Sequence, residues 1–133
     1  MTYIGEIPEN LNFTKEHEWV RFDGHIAVMG ITDYAQHALT DVVFVELPEI
    51  GKKVQQLKPF CVVESVKSVS DIYAPISGDV VEVNKDLREK PEYINKDAYS
   101  KGWIAKIEFS DKSETSNLMD HKGYKKYLEG LKH

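Results

Sequence analysis

The run Glu18-Trp19-Val20-Arg21-Phe22-Asp23-Gly24-His25-Ile26-Ala27-Val28-Met29 decides the fold class. Two short segments rich in apolar, β-branched and aromatic side chains flank Asp23-Gly24. Such a dipeptide suits a hairpin, because a type I′ turn needs positive φ at both central positions. The pattern predicts strands over 18–22 and 25–29. The same grammar repeats outward, with strands predicted over 42–47 and near 60–66, 69–74, 79–83 and 103–109. Pro48-Glu49-Ile50-Gly51 turns the chain between two of them. Many short strands separated by turn signals predict a mainly β protein, a sandwich or barrel.

Two helical signals punctuate the strands. Thr32 or Asp33 can cap a short helix that buries Ala35, Ala38 and Leu39. Near the C-terminus, Tyr124, Tyr127, Leu128 and Leu131 recur at i, i+3, i+4 and i+7, the stripe of an amphipathic helix with Asp120 as its cap. Lys122, Lys125 and Lys126 read either as a basic patch or as the solvated face such a helix needs. One internal echo stands out: Asp41-Val42-Val43-Phe44-Val45-Glu46 resembles Asp79-Val80-Val81-Glu82-Val83-Asn84. It suits a quasi-twofold sandwich, or only the sameness of valine-rich strands.

The chain has 133 residues, net charge −5, one cysteine and 41% apolar residues. That length suits one domain, 1–133, with residues 1–12 as an N-terminal extension and about 113–133 as a helical C-terminal segment. One cysteine forms no intrachain disulfide and no multi-cysteine metal site, which favours a reducing compartment. Net acidity argues against nucleic-acid binding. No apolar run approaches the roughly 20 residues of a spanning helix. Met1-Thr2-Tyr3-Ile4-Gly5-Glu6 lacks signal or transit character, so the expected compartment is the cytoplasm, or the mitochondrial matrix for a processed eukaryotic chain.

Familiar catalytic patterns are missing: no Gly-rich phosphate loop, no G-x-S-x-G, no H-E-x-x-H. His17 lies between Glu16 and Glu18, but strand alternation would send His17 and Glu18 to opposite faces, so a hydrogen-bonded surface histidine is expected rather than a metal ligand. Cys61, within an apolar strand run, is expected to be a buried, inert thiol. The remaining concentration of interest is Glu64-Ser65-Val66-Lys67-Ser68-Val69-Ser70-Asp71-Ile72-Tyr73-Ala74-Pro75. A tight turn between Val66 and Val69 places Lys67-Ser68 at its tip. An ordinary lysine is protonated at neutral pH and a poor nucleophile; catalytic lysines need burial or a cationic neighbour. A protruding tip flanked by Glu64 and Asp71 offers the opposite. It suits a lysine modified by another enzyme, or an exposed turn lysine with no role.

These residues resemble the glycine cleavage H-protein family of lipoyl carriers. The resemblance runs from about Phe13 to Leu128. It is carried in order by Lys15-Glu16-His17-Glu18-Trp19-Val20, Gly30-Ile31-Thr32-Asp33-Tyr34-Ala35-Gln36, the 41–48 strand ending in Leu47-Pro48, the lysine segment, residues 78–84, Ile94-Asn95-Lys96-Asp97 and Gly102-Trp103. It implies a hybrid barrel-sandwich of the lipoyl/biotinyl type, with short helices and the C-terminal amphipathic helix. It implies lipoate in amide linkage on Lys67, in a carrier that is not itself an enzyme. The arm would take the aminomethyl group from a pyridoxal-phosphate glycine decarboxylase to a tetrahydrofolate-dependent aminomethyltransferase. A dihydrolipoyl dehydrogenase would reoxidise it, and a lipoate-attaching enzyme would install it.

Further residue roles follow from the same resemblance. Glu64 and Asp71 become candidates for recognition by the attaching enzyme, and Glu18 for the surface over which a loaded arm folds. Val66 and Ser68 replace the methionines that flank a biotinyl lysine. Two departures are visible. Thr40 stands where the family usually has glycine, which matters if that position uses positive φ, and Ala98 stands where proline is common. They leave open an H-like carrier serving lipoate relay or another lipoyl pathway.

Overall fold

The founding hairpin forms as β2 (Glu18–Asp23) and β3 (Ile26–Ile31), paired antiparallel from Glu18↔Ile31 to Asp23↔Ile26. Its turn is shifted one residue from the expected place. Asp23 pairs with Ile26, so the central residues are Gly24 and His25, and only Gly24 has positive φ, 58°. Glycine at the first central position is the type II′ preference, so His25 is relieved of the conformation that type I′ would demand. A computed structural model describes residues 3–131; residues 1 and 2 of the expected extension and 132 and 133 of the expected C-terminal segment lie outside it.

The other strands are β1 (Asn12–Phe13), β4 (Val42–Glu46), β5 (Lys53–Val54), β6 (Pro59–Ser65), β7 (Val69–Tyr73), β8 (Gly78–Val83) and β9 (Ala105–Glu108). They make two antiparallel sheets, one of six strands in the order β1-β2-β3-β9-β8-β5 and one of three, β4-β6-β7. The sheets do not close into a barrel; they lie over a shared core to which Met29 and Ile107 contribute from one sheet and Val45, Val63 and Ile72 from the other. The second face of the six-stranded sheet is also covered over β1–β3, where Phe13, Trp19 and Val28 pack with Tyr124 and Leu128. Those last two belong to α3 (His121–Glu129), capped by the Asp120 side chain as expected. Residues Lys112–Asn117, just before it, form a 3₁₀ turn.

The echo has a structural counterpart. β4 and β8 lie in different sheets, yet the register shifts between Val42 and Phe44 in one and between Val80 and Glu82 in the other. The skipped residues, Val43 and Val81, are both exposed. A bulge places an extra residue against one partner, so the resemblance extends from composition to backbone.

One helix borders the lysine segment and a second packs against the first. α1 (Asp33–Leu39) is capped by the Thr32 hydroxyl, which accepts from Ala35 N. Of the three side chains expected to be buried, only Leu39 is; Ala35 is half-buried and Ala38 is exposed. A seven-residue helix has room for one inward ridge, and its Ala38 end borders a groove instead. α2 (Tyr93–Lys96) is a single turn anchored by fully buried Ile94. Sequence patterning gave no sign of α2, β1 or β5, each being too short to show a period.

Candidate functional site

The β6–β7 hairpin ends at Glu64↔Val69 and leaves residues 66–68 as its tip. Ser65 organises the tip from within. Its N–H donates to Ser68 O at 2.8 Å, and its Oγ accepts from Lys67 N at 3.1 Å and Ser68 N at 3.0 Å. A serine that satisfies two turn amides explains how a tip without glycine or proline holds its shape. The tip also leans on α1 and the link after it: Lys67 Nζ reaches Ala38 O at 3.4 Å, and Val66 N donates to Asp41 O at 3.0 Å. Lys67 is exposed and enters no ion pair among the described residues.

Beside Lys67 runs an open groove of about 500 Å³. Ala35, Ala38 and Leu39 of α1 form one wall and residues 68–73 the other, with Glu16, His17 and Tyr34 also lining it. A larger groove of about 840 Å³, between residues 46–52 and β6, does not contain Lys67. Size therefore does not select the site; the amine does. Asp71 is exposed and lines the groove, whereas Glu64 is half-buried and sits across from Phe44 and Val69 on the sheet.

Glu18 departs from expectation. Its side chain is 1% exposed and does not line the groove. One carboxylate oxygen is bonded to the Thr14 hydroxyl and the other accepts from Tyr73 N at 3.1 Å, so Glu18 ties β2 to β7 across the two sheets. Burial pushes its pKa up to about 7, against the opposing pull of those hydrogen bonds. His17, its neighbour, sits in a turn with φ 74° and not in a strand. Its ring is half-buried, with Nδ1 2.9 Å from Tyr124 Oη, which is 2.8 Å from Thr32 Oγ1. Cys61 is buried as expected, and burial pushes its thiol pKa up.

The two sequence departures now have locations. Thr40 is the C-terminal cap of α1, at φ 64° and ψ −150°, a conformation that favours glycine. Ala98 uses its carbonyl to accept the Trp19 indole N–H at 2.9 Å, a role that does not depend on its side chain.

With this geometry in view, comparison with known proteins is decisive. The sequence profile of the family described as Glycine cleavage H-protein matches residues 11–131. This chain belongs to the glycine cleavage H-protein family. A glycine cleavage system H protein of Halothermothrix orenii is 50% identical over 123 residues, covering 92% of this chain and 96% of its own. That of Symbiobacterium thermophilum is 53% identical over 121 residues, covering 91% and 94%. The crystal structure of a glycine cleavage system H protein from Mycobacterium marinum superposes with a TM-score of 0.82 at 35% identity, covering 94% of this chain and all of that one. As an H-protein family member, the chain shares the fold of that structure as well as the sequence. Among the described residues, no helix is long and apolar enough to cross a membrane.

Sequence reasoning placed Lys67 at the hairpin tip and Asp71 beside it. It missed Ala38 O and Asp41 O, which brace the tip, because backbone carbonyls carry no residue signature. It also gave no role to Asn95, although that residue stood within the matching segments.

Proposed function

We propose that this protein is the lipoyl carrier of a glycine cleavage system, with lipoate in amide linkage on Lys67. The observation that supports it is the placement of one exposed amine at a braced hairpin tip, bordering a groove, in a chain of the H-protein family. The fit of the residues to the group is chemical. A primary amine with no carboxylate partner among the described residues can be acylated, and small neighbours, Ser68 among them, leave an attaching enzyme room to reach it.

When bound, the lipoyl group supplies sulfur chemistry that carries an aminomethyl group from a pyridoxal-phosphate glycine decarboxylase to a tetrahydrofolate-dependent aminomethyltransferase. The chain's own residues do the positioning. Ser65 Oγ fixes the turn, so the root of the arm leaves the surface in one direction. Ala38 O accepts from Nζ now and remains available to the single N–H left after amidation. The groove between α1 and β7 would offer the arm a resting place between visits. Tethering raises the local concentration of the arm's tip at whichever partner is docked, including the dihydrolipoyl dehydrogenase that reoxidises it. On this reading catalysis belongs to the partners. Asp71 and Glu64 flank the tip and are proposed as contacts for the lipoate-attaching enzyme.

Intact mass of protein produced in a lipoate-competent host tests the reading. A one-lipoyl increment mapped to the Lys67 peptide, with support of glycine–bicarbonate exchange by purified glycine decarboxylase, is the expected result. Modified Lys67 without exchange would favour a lipoyl carrier of another pathway, and no increment after treatment with attaching enzyme would overturn both.

A further inference from the structure

We infer that Asn95 is a positioning residue for Lys67, acting through the crossing from α1 to β4. This inference rests on the reading of Lys67 as the carrier lysine. Asn95 is in α2, outside the hairpin and outside the groove lining. Its mounting is firm. Ile94 beside it is fully buried, and Gly102 packs so closely that a Cβ there would lie 2.8 Å from Tyr93 O.

Every polar atom of the Asn95 side chain is used at one place. Nδ2 donates to Gln36 Oε1 at 3.0 Å and to Thr40 O at 2.8 Å, and Oδ1 accepts from Val42 N at 2.9 Å. The orientation of the amide is unambiguous, because Thr40 O only accepts and Val42 N only donates. One side chain therefore grips the last turn of α1, the residue that ends it and the first residue of β4.

The gripped stretch is strained. Thr40 holds φ 64° and ψ −150°, and its N–H is already committed to Gln36 O and His37 O at 3.0 and 3.3 Å. Such a conformation persists only where its surroundings over-determine it. Asn95 supplies the bond on the carbonyl side. Beyond the β4–β6 ladder, which ends at Val42↔Ser65, two contacts brace the lysine tip from residues 38–41: Asp41 O takes Val66 N–H, and Ala38 O takes Lys67 Nζ. Releasing Asn95 frees the ledge on which the tip rests, and α1 is also a wall of the groove.

The test uses the full chain, with Asn95→Ala, Thr40→Gly and the double variant, each before and after enzymatic lipoate attachment. Amide hydrogen exchange and thermal unfolding are read together with the KM and kcat of attachment. In Asn95→Ala, the Val66 amide is expected to exchange on the order of tenfold faster relative to core strand amides such as Val63, the signature of a local opening. The attachment KM is expected to rise several-fold with kcat little changed, since the tip must be caught from more conformations. Thr40→Gly in the same background removes strain and restores melting temperature, but leaves Val66 unprotected. Exchange that accelerates uniformly at Val63 and Val66, or a double variant that regains Val66 protection, would overturn the inference. Failure of the underlying function reading shows separately, as wild-type protein that never acquires a lipoyl increment at Lys67.

Discussion

The six-stranded sheet and the lysine hairpin are built from the same valine-rich vocabulary, yet the first is covered on both faces along β1–β3 and the other is half bare. Val20, Ala27 and Met29 face the shared core, while Trp19 and Val28 pack against α3 on the other side. In the three-stranded sheet, Val45 and Val63 face inward, but Phe44 is 50% and Val69 67% exposed. Buried area stabilises and exposed area does not. The larger sheet thus supplies stability, and the smaller one gives up burial to keep Lys67 and its surroundings within reach of other proteins. Disfavoured backbone does not follow that division: of the three described non-glycine residues at positive φ, His17 lines the groove and Thr40 ends α1 near the lysine tip, but Leu57 lies at the far end of the hairpin, before β6.

The sharpest way to separate the two regions is Lys67→Arg. Arginine keeps the charge but cannot take the amide linkage. Intact mass should show complete loss of lipoyl attachment, with stability unchanged within about 0.5 kcal/mol as for other exposed sites. Tyr124→Ala strikes the opposite region. It removes a fully buried ring stacked on Phe13 and the hydroxyl that bonds His17 and Thr32. Denaturant unfolding should show a loss of about 3–5 kcal/mol, while Lys67 in the remaining folded protein still accepts lipoate.

Glu18 joins the two regions, so its effect is felt as pH dependence. Its folded pKa, about 7, is raised above the ordinary 4.5. The folded state therefore holds the proton more tightly than the unfolded state. Its contribution is fully present below pH 4.5 and is lost as pH rises through about 7. That shift corresponds to about 3 kcal/mol at most. Glu18→Gln imitates the protonated form, so unfolding measured from pH 5 to 8 should lose most of its slope and the variant should be the more stable at pH 8. An unchanged slope would show that other groups carry it. The smallest effect belongs to Thr40→Gly, which should stabilise by about 1 kcal/mol by relieving the positive φ. A loss of stability there would show that the Thr40 hydroxyl, which donates to Leu39 O, outweighs the strain.

Much of this was written locally. The β2–β3 hairpin, the Thr32 and Asp120 caps and the lysine tip each depend on residues within a few positions of one another. Even there, the turn slipped by one residue, because Asp23↔Ile26 pairing let Gly24 alone absorb the positive φ. The exposure of Ala38 was not legible: helical periodicity says which side chains share a face, not how long a face the neighbours will cover.

The sequence by itself determined the strand grammar, the capped helices and the position of one amine at a hairpin tip, since turn and cap chemistry act over short range. Only the tertiary structure decided where Glu18 lies, what Thr40 endures and what Asn95 holds. Those depend on bonds between distant parts of the chain: Glu18 with Tyr73, 55 residues on, Asn95 with Thr40, 55 residues back, and His17 with Tyr124, 107 residues on. A periodic pattern cannot encode such meetings. They arise when two sheets close over one core and bring buried polar groups to the partners they require.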